Sequence, residues 1–240
     1  MNNWKNLWGQ RSVDPKILSG QDKRAVFLEL KRSNGFDVME GGLTYEALVD
    51  QYQRIKKELS FYAEDTEVQP MKSVFEVGCG SGANLYLFEN DGIQCGGLDY
   101  SEHLIEGAKQ VLHTTDVSCD EAIHLKTEPK YDAVLSNSVF SYFVDEKYAY
   151  SVLEKMYEKA KHTIGIIDIH DIEKKEDFIC FRKKNVKDYE KRYQNLPKFF
   201  YSKQFFLEFA ESHNMDIKFT HSNTKDYWNN DFVFNCYMYK

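Results

Sequence analysis

The chain has 240 residues, 42% of them hydrophobic, enough for one complete core, and its formal charge of −7 without a basic tail argues against nucleic acid as a non-specific partner. No apolar run approaches the ~18 residues of a membrane span, and the opening Met1-Asn2-Asn3-Trp4 shows no signal-peptide core. Five scattered cysteines (Cys79, Cys95, Cys119, Cys180 and Cys236) make no Cys-x-x-Cys pair, so a reduced, cytoplasmic protein with no membrane partner is expected.

Residues 1–66 read as a helical cap. Asp22 can cap a helix running through Arg32 and stopping at Asn34-Gly35, and Thr44 can cap one through Leu59. The second carries Leu48, Tyr52, Ile55 and Leu59 on one face. Pro70 marks the handover to a sheet-forming region, residues 67–240. There the pattern alternates: strand 73–77, helix 83–89, strand 93–98, helix 101–112, a weak strand near 117–124, strand 132–136, helix 147–161 and strand 163–169. Such alternation predicts an α/β fold with a mostly parallel, doubly wound sheet. An insertion at 172–203 follows, then a helix capped by Ser202 and two strands, 216–221 and 232–239, with no helix between them. They predict an antiparallel C-terminal strand and bring the sheet to seven strands.

The most informative stretch is Val74-Phe75-Glu76-Val77-Gly78-Cys79-Gly80-Ser81-Gly82-Ala83-Asn84. A short strand carries Glu76 near its end and runs through three alternating glycines into a helix. The glycines remove each Cβ that would hold a ligand off the backbone, and the amides at the helix start are expected to point outward unsatisfied. A dinucleotide fingerprint would read G-x-G-x-x-G. This G-x-G-x-G, with Glu76 two residues ahead, resembles motif I of class I S-adenosylmethionine-dependent methyltransferases. Asp99 lies 21 residues beyond Gly78, about the ~20 at which an acid reaches a ribose in this geometry. Tyr131-Asp132-Ala133-Val134-Leu135-Ser136-Asn137-Ser138 resembles the family's fourth strand.

The resemblance implies a Rossmann-like sheet, S-adenosylmethionine as cofactor and S-adenosylhomocysteine as product. It places Gly78, Cys79 and Gly80 at the methionine end, counts Glu76 among the cofactor-binding residues, and puts Asp99 on the ribose hydroxyls and Tyr100, with Ser101 beside it, against adenine. Glu121 and Ala122 occupy the neighbourhood where the family meets the adenine amino group, although a solvated acidic turn at Asp120-Glu121 reads equally well. Asn137 and Ser138 would face cofactor and acceptor.

Around the acceptor, Phe140, Tyr142 and Phe143 follow the fourth strand, where ligands of open α/β sheets gather. Tyr142 is a candidate acceptor contact. The Asn/Asp-Pro-Pro-aromatic tetrad of enzymes that methylate DNA bases is missing at Asn137-Ser138-Val139-Phe140, which argues against base flipping. His170 ends the predicted fifth strand with Asp168 on the same face by alternation, and suits a general base, or else a plain surface histidine. No His-x-x-x-His spacing occurs, so no metal is expected. The insertion holds ten Lys/Arg against five Asp/Glu in an acidic protein. Arg182, Arg192 and Tyr201 are its candidate contacts to an anionic acceptor, against the alternative of a charged helix with pairs such as Asp188 and Arg192. Trp4, Trp8, Arg11, Phe36 and Tyr45 in the cap could reach cofactor or acceptor, or only brace the sheet.

The expected activity is methyl transfer to a small, anionic metabolite (phosphorylated, carboxylated or nucleotide-linked) such as occurs in secondary-metabolite or surface-polysaccharide biosynthesis. The alternatives are a non-catalytic S-adenosylmethionine-binding regulatory or partner subunit, and a protein or RNA methyltransferase. Oligomeric state and the atom methylated stay open.

Overall fold

The computed structural model describes residues 4–36, 42–62 and 68–240. Parts of the expected cap, at 1–3, 37–41 and 63–66, lie outside the described residues. Seven strands form one sheet: β1 (Ser73–Val77), β2 (Gln94–Asp99), β3 (Val117–Cys119), β4 (Tyr131–Asn137), β5 (Ala160–His170), β6 (Asp216–His221) and β7 (Val233–Tyr239), in the order 3-2-1-4-5-7-6. β1 to β5 pair in parallel, while β7 runs antiparallel between β5 and β6.

Every residue of β1 and β4 is buried, which is why these strands read as apolar runs rather than as alternating ones. Val74, Ala133, Leu135 and Ile167 pack on one face under α4 (Tyr45–Leu59) and α5 (Ala83–Asn90), while Phe75, Val134, Ile164 and Phe206 fill the other. The expected apolar face of α4 is buried at Leu48, Tyr52, Ile55 and Leu59. A Cβ at Gly165 of β5 would lie 2.7 Å from Leu59, so glycine there lets the helix settle directly on the sheet. The cap's other helices are α1 (Trp4–Gly9), α2 (Pro15–Leu18) and α3 (Lys23–Ser33), the last capped by Asp22, whose carboxylate accepts the Arg24 and Ala25 N–H groups. After β2 and β4 come α6 (Glu102–Val111) and α7 (Glu146–Lys159). The insertion folds as α8 (Lys175–Asn185) and α9 (Tyr189–Arg192), and α10 (Lys203–Ser212) returns the chain to the sheet. Among the described residues, no helix is long and apolar enough to cross a membrane.

Asp132 ties the strand starts together. Its Oδ2 accepts the N–H groups of Lys72 (2.9 Å) and Ser73 (3.1 Å), and its Oδ1 accepts the Lys161 ammonium (3.0 Å). Burial alone would raise its pKa, but the Lys161 and backbone bonds outweigh it and hold the carboxyl below its ordinary value. A depressed folded pKa gives stability that is present above about 3.9 and lost as pH falls through the folded value. Asp132→Ala should cost about 1–3 kcal/mol in urea unfolding at neutral pH, and the gap to wild type should narrow below pH 4.

Candidate functional site

The loop after β1 is shaped by three glycines at positive φ: Gly78 (76°), Gly80 (56°) and Gly82 (80°). A Cβ at Gly78 would stand 2.3 Å from Val139, and one at Gly80 2.3 Å from the Asn34 Oδ1. The loop amides do not point outward unsatisfied. Gly78 and Cys79 donate to the Leu98 carbonyl (2.8 and 3.0 Å), Gly80 to Asp99 Oδ2 (2.9 Å), Ser81 to Asn34 Oδ1 (2.8 Å) and Gly82 to the Cys79 carbonyl (2.9 Å). A pyrophosphate would find none of these five donors free, so the geometry itself disfavours a dinucleotide. Asp99 has room for more. Each of its carboxylate oxygens takes a single backbone N–H, from Gly80 and from Ser101, and a second lone pair on each stays available to adjacent hydroxyls. Burial raises its pKa while those backbone bonds oppose the shift.

A cavity of about 320 Å³ opens beside this loop, within the range of small-molecule sites. Glu76, Gly78, Gly80, Asp99, Tyr100, Glu121, Ala122, Asn137, Ser138 and Tyr142 are among the residues that line it. Cys79 and Ser101 are not among the lining residues. The Cys79 side chain is core, packed beneath Gly97, and the Ser101 hydroxyl donates to the Trp8 carbonyl at 3.2 Å. Glu121 meets the cap through an ion pair with Lys5 (2.6 Å).

The cap supplies more of the cavity wall than its aromatic residues suggest. Trp4, Trp8 and Phe36 line it, whereas Arg11 stacks on Trp8 from behind and Tyr45 packs on Phe27 away from it. Lys31 and Asn34 of the α3 region line it too, and neither stands out in the motif reading. Lys31 was nevertheless visible: it lies four residues after Phe27, on the apolar stripe of α3, where a lysine has no packing reason to be. Its ammonium donates to Asn84 Oδ1 (2.8 Å), and Asn84 Nδ2 donates to Glu76 Oε1 (2.6 Å).

At the far side of the cavity, Ser138 and Asp168, at the ends of adjacent strands, both adopt left-handed backbone (φ 60° and 58°). Asp168 sits in the register shift of β5 against β7, which breaks the alternation assumed for it and His170. Its Oδ2 accepts the hydroxyls of Ser138 (2.8 Å) and Tyr227 (2.9 Å), and its Oδ1 has no partner among the described residues. His170 is not a group titrating near neutrality in the cavity. It is 2% exposed, packed between Phe178 and Phe200 at ring distances of 4.9 and 5.2 Å, and its Nε2 lies 3.3 Å from the Asn229 amide. Burial pushes its pKa well below the usual value, aided by the nearby charges of Lys198 and Arg182. The bare surface histidine is excluded as well.

Two of the insertion's expected acceptor contacts lie elsewhere. Tyr201 is wholly buried and donates to the Phe140 carbonyl (2.9 Å), because the bridge between Asp171 and Tyr201 folds it into the core. Arg192 is exposed in the last turn of α9, and the Asp188 to Arg192 ion pair does not form among the described residues. Asp188 has φ 53° there, and Lys183 pairs with Glu190 instead. Arg182 is half-buried and does not line the cavity; it donates to the Tyr193 hydroxyl (2.6 Å) with its guanidinium over Trp228 at 4.8 Å. Among the described residues no three His, Cys, Asp or Glu side chains gather as a metal site would need.

Gly80→Ala should clash with Asn34 and strain the loop, lowering Tm by at least ~2–4 °C for each kcal/mol lost. Adding Asn34→Ala should restore part of that loss, since it clears the contact but not the left-handed backbone; differential scanning fluorimetry reads both.

Residues 75–163 match the family model described as a methyltransferase domain. No curated protein matches the chain. Among solved structures, the magnesium protoporphyrin IX methyltransferase of Synechocystis PCC 6803 with bound SAM is similar at a TM-score of 0.56 and 13% identity, over 92% of this chain and 99% of that one. The plantazolicin methyltransferase BpumL, in complex with a pentazolic desmethylPZN analog and SAH, reaches 0.58 at 15% identity over 100% and 99%. The small RNA methyltransferase HEN1 reaches 0.58 at 13% identity, over 85% of this chain and 26% of that one. At these identities the likeness is one of fold. The family model spans the glycine loop, Asp99 and the fourth strand, and the fold is the one these methyltransferases share.

Proposed function

We propose that the enzyme moves the methyl group of S-adenosylmethionine to a small anionic acceptor held behind Tyr142, between the N-terminal cap and the insertion. The observation that carries this reading is the convergence of Arg11, Arg182 and Lys198 around Tyr142 and Asp168, beside the cofactor cavity. The Lys198 ammonium lies 4.6 Å over the Tyr142 ring and 5.8 Å from that of Trp4, and makes no hydrogen bond among the described residues. Burial and the Arg182 charge push its pKa down to about 7 against the pull of Asp168. Arg11 and Arg182 are both near enough to Tyr142 to offset in part the upward shift that burial imposes on its phenol. Cations gathered in a partly dry space with one carboxylate among them repel each other, and an anion would relieve them. The fold is shared by enzymes named for a magnesium porphyrin, for plantazolicin and for small RNA, so the acceptor class has to be argued from the site.

The residues present fit the cofactor: a Cβ-free wall at Gly78 and Gly80, an acid at Asp99 with lone pairs for a diol, and a buried oxygen of Glu76 without a partner among the described residues. Bound S-adenosylmethionine supplies an electrophilic sulfonium methyl. The protein's part is alignment and exclusion of water, for which a roof of Trp4, Trp8 and Tyr142 suits, and both terms are large in displacement chemistry. Where an acceptor enters protonated, Asp168, bonded to the cavity-lining Ser138, could take the proton, whereas His170 sits apart in its aromatic pocket.

A screen of phosphorylated, carboxylated and nucleotide-linked metabolites with methyl-labelled cofactor tests the reading, with S-adenosylhomocysteine released only when an acceptor is present. Lys198→Met should raise acceptor KM by about tenfold or more and leave cofactor Kd nearly unchanged. Because Lys198 is charged below about pH 7, wild-type KM should rise as pH passes above that value, and Lys198→Arg should flatten the rise. A neutral best acceptor, or a KM indifferent to these changes, would remove the anionic-acceptor reading. Asp99→Ala should weaken cofactor binding by about 1.5–3 kcal/mol for each charged hydrogen bond lost, read by calorimetry.

A further inference from the structure

We infer that the acceptor is methylated on a hydroxyl or amine set apart from its anionic group, and that Ser138 and Asp168 receive the proton which that nucleophile gives up. The inference rests on the reading of a small anionic acceptor beside the cofactor cavity, and names the kind of atom that reacts.

Ser138 follows β4, and Asp168 lies near the end of the adjacent β5. Both hold left-handed backbone, a costly conformation for residues with a side chain, and two hydrogen bonds fix it. The Ser138 N–H donates to the Ile167 carbonyl (2.9 Å) and the Asp168 N–H to Asn235 Oδ1 (3.1 Å). The Ser138 hydroxyl is thereby brought to 2.8 Å from Asp168 Oδ2 and 3.1 Å from Asn137 Oδ1. A hydroxyl has one proton, and both of these acceptors for it belong to the protein. Ser138 lines the cavity and Asp168 does not. What Ser138 offers a ligand is therefore an oxygen with its lone pairs free.

An oxygen that only accepts selects a group that donates. A neutral hydroxyl or an amine N–H meets it, whereas a carboxylate or phosphate oxygen would face its lone pairs with the Asp168 charge close behind. Turning the Ser138 hydroxyl toward such an anion would take from Asp168 Oδ2 one of its two hydrogen bonds, the other coming from Tyr227 (2.9 Å). Asp168 Oδ1 has no partner among the described residues to make good the loss. Lys198 asks for the reverse. Its ammonium, 4.6 Å over the ring of the cavity-lining Tyr142, can only donate. An acceptor that satisfies both carries an anion and, apart from it, a hydroxyl or amine, as hydroxy acids and hydroxyalkyl phosphates do.

The proton then has a route. As the acceptor's oxygen or nitrogen bonds to the methyl carbon, the C–S bond breaks and the sulfur keeps its electron pair. The acceptor's proton passes to Ser138 Oγ, and the Ser138 proton to Asp168 Oδ2. The sulfonium and carboxylate charges are both lost, so no ion is left behind in a buried site. Burial raises the Asp168 pKa, while the Ser138 and Tyr227 bonds and the charges of Lys31 and Lys198 oppose the rise; the phenols of Tyr142 and Tyr237 also lie within reach of its charge. Tyr227 comes from the loop before β7 and does not line the cavity, which makes it a positioning residue.

Matched probes test this on the full chain with carbon-labelled methyl cofactor: salicylate and anthranilate against benzoate, lactate against propionate, glycerol phosphate against propyl phosphate, and phenol as the neutral control. Only anions with the added hydroxyl or amine should be methylated, and NMR should place the label on an ether oxygen or an amine nitrogen. Asp168→Asn should lower kcat about 100-fold or more, and Ser138→Gly, which suits left-handed backbone, about tenfold or more. Each should change the S-adenosylhomocysteine Kd, read by calorimetry, less than about threefold. Tyr227→Phe should move the acid limb of the kcat profile to higher pH, since it removes a bond that favours the charged carboxylate; an unmoved limb would reduce Tyr227 to packing. A label on a carboxylate or phosphate oxygen, turnover of the unsubstituted partners, or an Asp168→Asn enzyme with wild-type kcat overturns the inference and leaves the anionic-acceptor reading standing. Transfer to phenol alone, or to no probe, removes that reading and this inference with it.

Discussion

The end of β2 holds the rest of the site in place. The Leu98 carbonyl takes two amides of the glycine loop and the Asp99 carboxylate a third, so the turn after β1 is anchored sideways to the neighbouring strand rather than left to its own flexibility. Once the loop is fixed, Gly78 can receive Val139 from the end of β4, and Gly80 can receive Asn34 from the cap, each at a distance that a side chain would forbid. The cavity is the space left between these contacts. The anchoring also bears on ligand type, because amides already committed to Leu98 and Asp99 are not free to cradle phosphate.

Polar and charged groups then accumulate where the strands end. Among the described residues, Glu76, Asn137, Asp168, His170 and Asn229 each keep a buried polar atom without a partner, a concentration that a core built for stability alone would avoid. Ser138 and Asp168 add left-handed backbone, at roughly 1–3 kcal/mol each. The two-sided burial of β1 and β4 and the packing of α4 on Gly165 can sustain those costs. Stability resides in the sheet's middle, and the strained, unsatisfied chemistry at its carboxyl edge.

The roof is composite. The Trp4 indole donates to the Pro197 carbonyl at 2.6 Å, joining the cap to the insertion, and the Tyr142 ring lies beneath with Trp4 at 4.8 Å and Trp8 at 5.5 Å. Cap and insertion thus meet over the point where cofactor and acceptor would meet. Such a cover would keep water from a reaction in the cavity beneath it.

Much of the sheet was legible because its signals are local. Strands buried on both faces show as short apolar runs, and Asp22, Thr44 and Ser202 start their helices through hydrogen bonds two or three residues away. The glycine spacing and the distance to Asp99 are likewise consequences of one strand, one helix and the next strand. The chemistry of individual polar side chains was not local. His170 became an aromatic-lined core residue because a register shift at Asp168 redirected the strand end and Phe178, Phe200 and Asn229 closed over it from distant segments. Lys31, Arg11 and Lys198 acquired neighbours only when cap, sheet and insertion packed together. Sequence by itself determined the order of elements and the glycine loop that borders the cavity, since backbone geometry depends on nearby residues. Tertiary structure alone decided which charges are buried beside that loop, since burial and counter-charge are supplied by parts of the chain far apart in sequence.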